Sequence, residues 1–228
     1  MSKLSLHDDD QSPRAQQTRD IIKRIRSDLI LGKYLPGSKL IETKLAEEFG
    51  VSRAPVRVAL QVLAQEGLVA NLPNGRTEVI GFSTRFLADL FDLRCLLEKR
   101  ALEISLGSQT FHFRPVLEAI EAIEQARPSE GAAVVPATTQ LDIMFHRSLI
   151  QMSGNAPLLV AWNTMSNVMQ ATLEITNTTH RGYADFYEGH RELADLVIQR
   201  NPECLNALEH HIQSAKAIIV ARMEKILA

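Results

Sequence analysis

Two groups of residues in this 228-residue chain have the types and spacing to do chemistry. The first starts with Asp142 and His146, four apart in LDIMFHRSL, and extends to His190 and His211. A helix places residues four apart on one face, so a carboxylate and an imidazole would project side by side. With two further imidazoles from later helices they form a donor set for a divalent ion such as Zn, Ni or Mn. Four protein ligands around an octahedral ion leave two positions for water or a carboxylate ligand. The same spacing also fits a surface pair or a satisfied polar contact, and His190 and His211 also fit as ordinary surface histidines. The second group is Ser52, Arg53 and Arg57, followed by the turn Asn74-Gly75-Arg76. Arginine is the side chain best shaped for a bidentate bond to guanine O6 and N7, worth ~1–3 kcal/mol of discrimination. Ser52 and exposed amides at a helix N-terminus can hold a phosphate, and the turn suits a minor-groove or backbone contact. A solvated face on an ordinary helix accounts for either arginine taken alone.

The elements that must position the second group are legible. Ile21, Ile22, Ile25, Leu29 and Ile30 follow helical spacing from Ala15 to Leu31. Leu35-Pro36-Gly37-Ser38 reads as a turn, and Ile41 to Phe49 as a short helix with Leu45, Ala46 and Phe49 inward. Gly50 follows where a left-handed residue is wanted. Ser52 stands at an N-cap position before a helix from Arg53 to Glu66, with Val56, Ala59, Leu60 and Leu63 buried. Leu68-Val69-Ala70 and Glu78-Val79-Ile80 flank Pro73-Asn74-Gly75 as a β-hairpin. Helix, helix, tight turn, helix and hairpin is the order of a winged helix-turn-helix. In such a motif the second helix of the pair enters the major groove N-terminal end first.

From Ser83 onward the patterns are helical, over roughly 84–106, 112–126, 137–153, 157–177, 184–199 and 203–226. The sequence therefore predicts a mainly α protein: an acidic, polar disordered tail over 1–13, a winged helix-turn-helix over 14–80 and an all-α bundle over 81–228. Charge divides along the same line. Residues 14–80 carry 11 Lys/Arg against 7 Asp/Glu, whereas 81–228 carry 13 against 17. A basic head on an acidic body fits a DNA-binding domain joined to one that does not touch DNA. Cys95 and Cys204 are the only cysteines and lack a CxxC spacing, which speaks against a disulfide framework or a thiolate zinc site. The first residues have no apolar core for a signal peptide, and no apolar run reaches the ~20 residues of a membrane helix. A cytoplasmic protein is expected.

The stretch from Leu35 to Val69 resembles the N-terminal domain of the GntR family of bacterial regulators. The resemblance is carried by Pro36-Gly37, Leu40, Leu45-Ala46, Gly50-Val51-Ser52-Arg53, Pro55-Val56-Arg57, Ala59-Leu60, Leu63 and Glu66-Gly67-Leu68. It implies a dimeric operator binder whose contacts come from Thr43, Ser52, Arg53, Arg57 and the wing residues Gly75 and Arg76. Val58 departs from the acidic residue that usually follows the second arginine, and the wing lacks the basic residue that often precedes its glycine.

Residues 84–224 resemble the FCD domain, the ligand-binding helical bundle of the FadR-like subgroup. The matching pieces are Leu93-Arg94 with Glu98, Asp142-x3-His146, Ser153-Gly154-Asn155, His190-Arg191-x-Leu193 and His211-Ile212. Carried over from metal-binding members, the ligands are Asp142, His146, His190 and His211. The spacing after Asn201-Pro202 is one residue short of the usual pattern, so His210 competes with His211. Helical spacing favours His211, on a stripe with Cys204, Leu208, Ala215 and Ile218. Arg94 would meet an organic acid bound at the metal, or else pair with Glu98 four residues on. Asn163 and Asn167 would line the pocket, while Trp162 and Met165 read as core.

The function expected is a ligand-responsive transcription regulator. A small carboxylate, bound at a metal, would alter the spacing of two DNA heads across a homodimer on a palindromic operator. A metal sensor is the second reading. A metal enzyme is the third, disfavoured because no general base stands near four protein ligands.

Overall fold

A computed structural model describes residues 12–73, 75–127, 135–176 and 182–228, with the side chains of 135–137 left aside. The chain divides into two compact units, Met1–Ser83 and Thr84–Ala228.

The first unit opens with α1 (Pro13–Ile30). Ser12 caps it: its hydroxyl accepts from the Ala15 amide at 3.1 Å, and Pro13 sits where no amide hydrogen is needed. Ser12 and Pro13 thus belong to this helix and not to the expected tail, whose remaining residues lie outside those described. The helix buries Ile21, Ile25, Leu29 and Ile30 and packs chiefly on α3 (Arg53–Gln65), which buries Val56, Ala59, Leu60 and Leu63. Between them lies α2 (Glu42–Phe49), ended by Gly50 at φ +65°, a left-handed conformation that suits glycine. A buried ion pair ties the first and third helices. Arg26 donates through Nε and Nη2 to the two carboxylate oxygens of Glu66 at 2.7 and 2.6 Å.

Three short strands complete the unit: β1 (Lys39–Leu40), β2 (Val69–Asn71) and β3 (Thr77–Val79), in the antiparallel order β1-β3-β2. Each hairpin strand is shifted one residue toward the turn from its expected span. The third strand is new: with two residues it is too short for alternation to reveal, and it exists because Lys39 and Leu40 pair with Glu78 and Thr77. Gly75 holds the wing turn at φ +74°. Asn74 lies outside the described residues.

Every element of the second unit among the described residues is an α-helix: α4 (Thr84–Gly107), α5 (Arg114–Gln125), α6 (Val135–Met152), α7 (Ala156–Thr176), α8 (Tyr183–Ile198) and α9 (Cys204–Leu227). The bundle is organised by α4, which packs on α9, α6 and α7, while α5 covers α6 and α8. Leu87, Phe91, Leu102, Ile120, Phe145, Trp162 and Phe186 fill the interior. Trp162 and Met165 are core, as read from their spacing. In α9 the inward stripe is Cys204, Leu208, Ile212, Ile219 and Met223. Ile218, expected inside, is 52% exposed. A spacing of three from Ala215 carries the face round too little, and Ile219 takes the place. No helix among the described residues is long and apolar enough to cross a membrane.

Candidate nucleic-acid interface and metal centre

In the first unit, α2, α3, the first strand and the wing enclose a cleft of about 640 Å³. Its walls include Thr43, Arg53, Arg57, Gly75 and Arg76, five of the six residues expected to touch DNA. Ser52, the sixth, is exposed at the start of α3, but its side chain makes no capping bond, so its hydroxyl is left for another acceptor or donor. Two charged residues of the cleft were missed by sequence reasoning. Lys39 stands on the strand that the sequence does not reveal. Glu42 opens α2 and takes both arginines: Arg57 donates Nε and Nη2 to its two oxygens at 2.9 Å each, and Arg53 donates Nη2 at 3.0 Å. The Arg57 bonds, aided by Arg53 and opposed by partial burial, pull the Glu42 carboxyl down to about 2. An acid that opens the helix preceding the basic one reads as a solvated charge, and only the fold shows it between the two arginines.

In the second unit, Asp142 and His146 on α6 meet His190 on α8 and His211 on α9. One ligand atom from each lies within 4.8 Å of the others. His146 and His190 are fully buried, Asp142 and His211 half-buried. Asp142 Oδ1 stands 3.3 Å from His190 Nε2 and 3.8 Å from His146 Nε2. The ring of His211 is 5.2 Å from that of His146 and 4.9 Å from that of His190. His210 is exposed and turns instead to Ser214.

Each α6 and α8 imidazole is held from behind. His190 Nδ1 lies 2.7 Å from the Phe186 carbonyl, which can only accept, so Nδ1 carries the proton and Nε2 offers a lone pair. His146 Nδ1 lies 2.5 Å from Glu98 Oε2, and its buried Nε2 has no hydrogen-bond partner. Burial, reinforced by Arg94, pushes His146 below its ordinary value; burial with the neighbouring imidazoles pushes His211 well below. Both rings are therefore neutral, the form that ligates metal. Burial works against the Asp142 charge, but the adjacent Arg94 guanidinium outweighs it and holds the carboxyl well below the usual range. Ligand bonds of ~2.0–2.2 Å put opposite donors ~4.2 Å apart around one ion, so these four need to close in only slightly. The donors present fit a divalent metal.

Arg94, expected to greet an organic acid, is 3% exposed and committed elsewhere. Its Nε donates to Glu98 at 2.9 Å and its Nη2 to Asp142 Oδ2 at 3.4 Å. The pairing with Glu98 that the spacing also allowed is the one the bundle makes. Asn163 is half-buried and accepts from Arg147 at 3.0 Å, while Asn167 is exposed on α7.

Comparison with known proteins agrees with both units. The family model "Bacterial regulatory proteins, gntR family" matches residues 17–79, and the FCD domain model matches 89–214, more than half of the chain. This chain belongs to the GntR family and carries an FCD domain. The GntR regulator is 28% identical to the "Probable D-xylose utilization operon transcriptional repressor" of Paenarthrobacter nicotinovorans, over 87% of this chain and 85% of that one. It is 27% identical to the gluconate operon transcriptional repressor of Bacillus licheniformis, over 81% and 76%. Among solved structures, a GntR family member from Pseudomonas syringae pv. tomato is 26% identical with a TM-score of 0.52, covering 94% of this chain and 89% of that one. The fold is also that of E. coli McbR/YncC, at 21% identity and a TM-score of 0.58, covering 89% and 96%. The GntR protein is thus a DNA-binding transcription regulator, not an enzyme.

Proposed function

We propose that this regulator responds to a small organic acid, which docks at a divalent metal held by Asp142, His146, His190 and His211. The observation that carries the reading is the convergence of one carboxylate and three imidazoles from three helices, with His146 Nε2 buried and unsatisfied. Such an orphan costs ~1–3 kcal/mol, which a coordinated cation would offset. A bound metal supplies a Lewis-acidic centre for an anionic oxygen. The nitrogen-rich donor set with a single carboxylate suits Zn, Ni or Mn. His146 and His190 close the inner side of the site, so the acid approaches past Asp142 and His211. Arg94 stays with its two carboxylates, and Asn163 and Asn167 are second-rank candidates for pocket contacts.

At the other end, Thr43, Ser52, Arg53, Arg57, Gly75 and Arg76 contact operator DNA. Arg53 and Arg57 serve base edges, Ser52 and the first amides of α3 serve phosphate, and the wing serves the backbone or minor groove. Lys39 adds a phosphate contact from the cleft. The protein acts in the cytoplasm as a homodimer on a palindromic site, and acid binding changes operator affinity by a coupling of ~1–3 kcal/mol.

Metal analysis of purified protein beside an Asp142→Ala/His146→Ala double variant tests the site. Stoichiometric metal, absent from the variant, is the expected result and directs the screen to chelating acids. The relative named for a gluconate operon makes hydroxy acids the first ligands to try. No metal after incubation with Zn or Ni would sink the metal assignment and leave DNA binding intact.

A further inference from the structure

Behind the two α6 ligands lies a buried pair of charged residues. Arg94 and Glu98 stand one turn apart on α4, 3% and 0% exposed. Glu98 receives three donors from three helices: Arg94 Nε at 2.9 Å and Trp162 Nε1 at 3.1 Å on Oε1, and His146 Nδ1 at 2.5 Å on Oε2. Arg94 spans from Glu98 to Asp142 Oδ2 at 3.4 Å, which leaves Asp142 Oδ1 as the oxygen facing His190 and His146.

We propose that Arg94 and Glu98 are positioning residues for the metal centre: Glu98 fixes His146 as its Nδ1–H tautomer with Nε2 aimed into the site, and Arg94 holds Asp142 to ligation through Oδ1 alone. The inference rests on the metal reading above and adds what makes the site selective in geometry. Only an ionised carboxylate can serve at position 98. A carboxylate is acceptor-only, whereas the amide of glutamine must turn two N–H donors toward arginine, tryptophan or imidazole, all of which are donors here. Arginine is equally specific at position 94. Its rigid planar fork presents Nε to Glu98 and Nη2 to Asp142 at a fixed spread, which the single nitrogen of a lysine does not reproduce. A buried carboxylate against the far nitrogen of a ligating imidazole also raises the basicity of that imidazole, as partners of metal-bound histidines do. One helix that supplies no ligand thereby sets both ligands of another.

The test uses full-length ¹⁵N-labelled protein stripped of metal, read by long-range ¹H–¹⁵N correlation of the imidazoles, with Zn²⁺ affinity measured by chelator competition. In the wild type His146 is expected as the Nδ1–H tautomer. In Glu98→Gln it loses that single tautomer, and Zn²⁺ affinity falls about 10- to 100-fold. His190, whose tautomer is set by the Phe186 carbonyl, stays unchanged in the same spectrum, which separates lost positioning from general loosening. A wild-type His146 protonated on Nε2 overturns the proposal without any variant. So does a folded Glu98→Gln protein with unaltered His146 tautomer and Zn²⁺ affinity. If wild-type protein shows the Nδ1–H tautomer and Glu98→Gln loses it while neither binds Zn²⁺, the metal reading fails and the positioning of His146 stands.

Discussion

Glu42 is an acid in the middle of the cleft proposed to face DNA, and its value there is geometric. A carboxylate that grips both Arg53 and Arg57 limits the rotamers of two long side chains before DNA arrives, which lowers the ordering cost of binding. Its pH signature follows from linkage. The folded carboxyl is depressed from 4.5 to about 2, so its contribution to stability is complete above the unfolded value and is lost as pH falls through that window. Glu42→Gln is therefore expected to flatten the loss of thermal stability between pH 4.5 and about 2, as followed by circular dichroism. An unchanged slope would mean that the two arginines leave Glu42 in solution. At this scale the sequence is informative about residue types and silent about partners. The Asp142–His146 pair is visible because a helix fixes local spacing. The burial of Arg94 and Glu98 is not, because an i,i+4 pair looks the same on a wet face and a dry one.

Helix boundaries were the most legible feature, and physical punctuation explains why. Apolar stripes locate each helix to within about two residues, and Gly50 stops α2 in a conformation few other residues accept. The first strand escaped because pairing, not its own two residues, creates it. The stripe on α9 shows a subtler limit: His211 is placed with the other donors, yet Ile218 gives way to Ile219, since a 24-residue helix accumulates phase error along its length. Packing between elements adds what periodicity omits. Arg26 on α1 and Glu66 after α3 form a doubly bonded pair with side chains 10% and 2% exposed. Removing one partner of a buried pair leaves an uncompensated charge, so Glu66→Ala is expected to cost ~3–5 kcal/mol in urea unfolding of the DNA-binding unit. A loss under about 1 kcal/mol would show water reaching Arg26 after substitution, as at surface pairs.

At the scale of the whole molecule, charge and cores are both partitioned. The basic head predicts that operator affinity falls steeply with salt, with a slope near −0.9 per phosphate neutralised. Arg76→Ala should make that slope shallower by about 1 in a titration from low to physiological salt, and weaken all duplexes alike. A sequence-selective loss would move Arg76 from backbone contact to base reading. Ligand linkage addresses the other unit. Zn²⁺ at about 100 times its dissociation constant should stabilise the FCD domain by ~2.7 kcal/mol in thermal unfolding. The shift should vanish in the Asp142→Ala/His146→Ala variant. The uneven burial of the four donors also has a meaning in time. To release an ion, two imidazoles sealed inside the bundle must let go, whereas Asp142 and His211 are half-exposed. An ion held this way would trade places with solution far more slowly than a small acid arriving on the open side. On the clock of gene expression the ion would be a permanent fitting, and the acid the message.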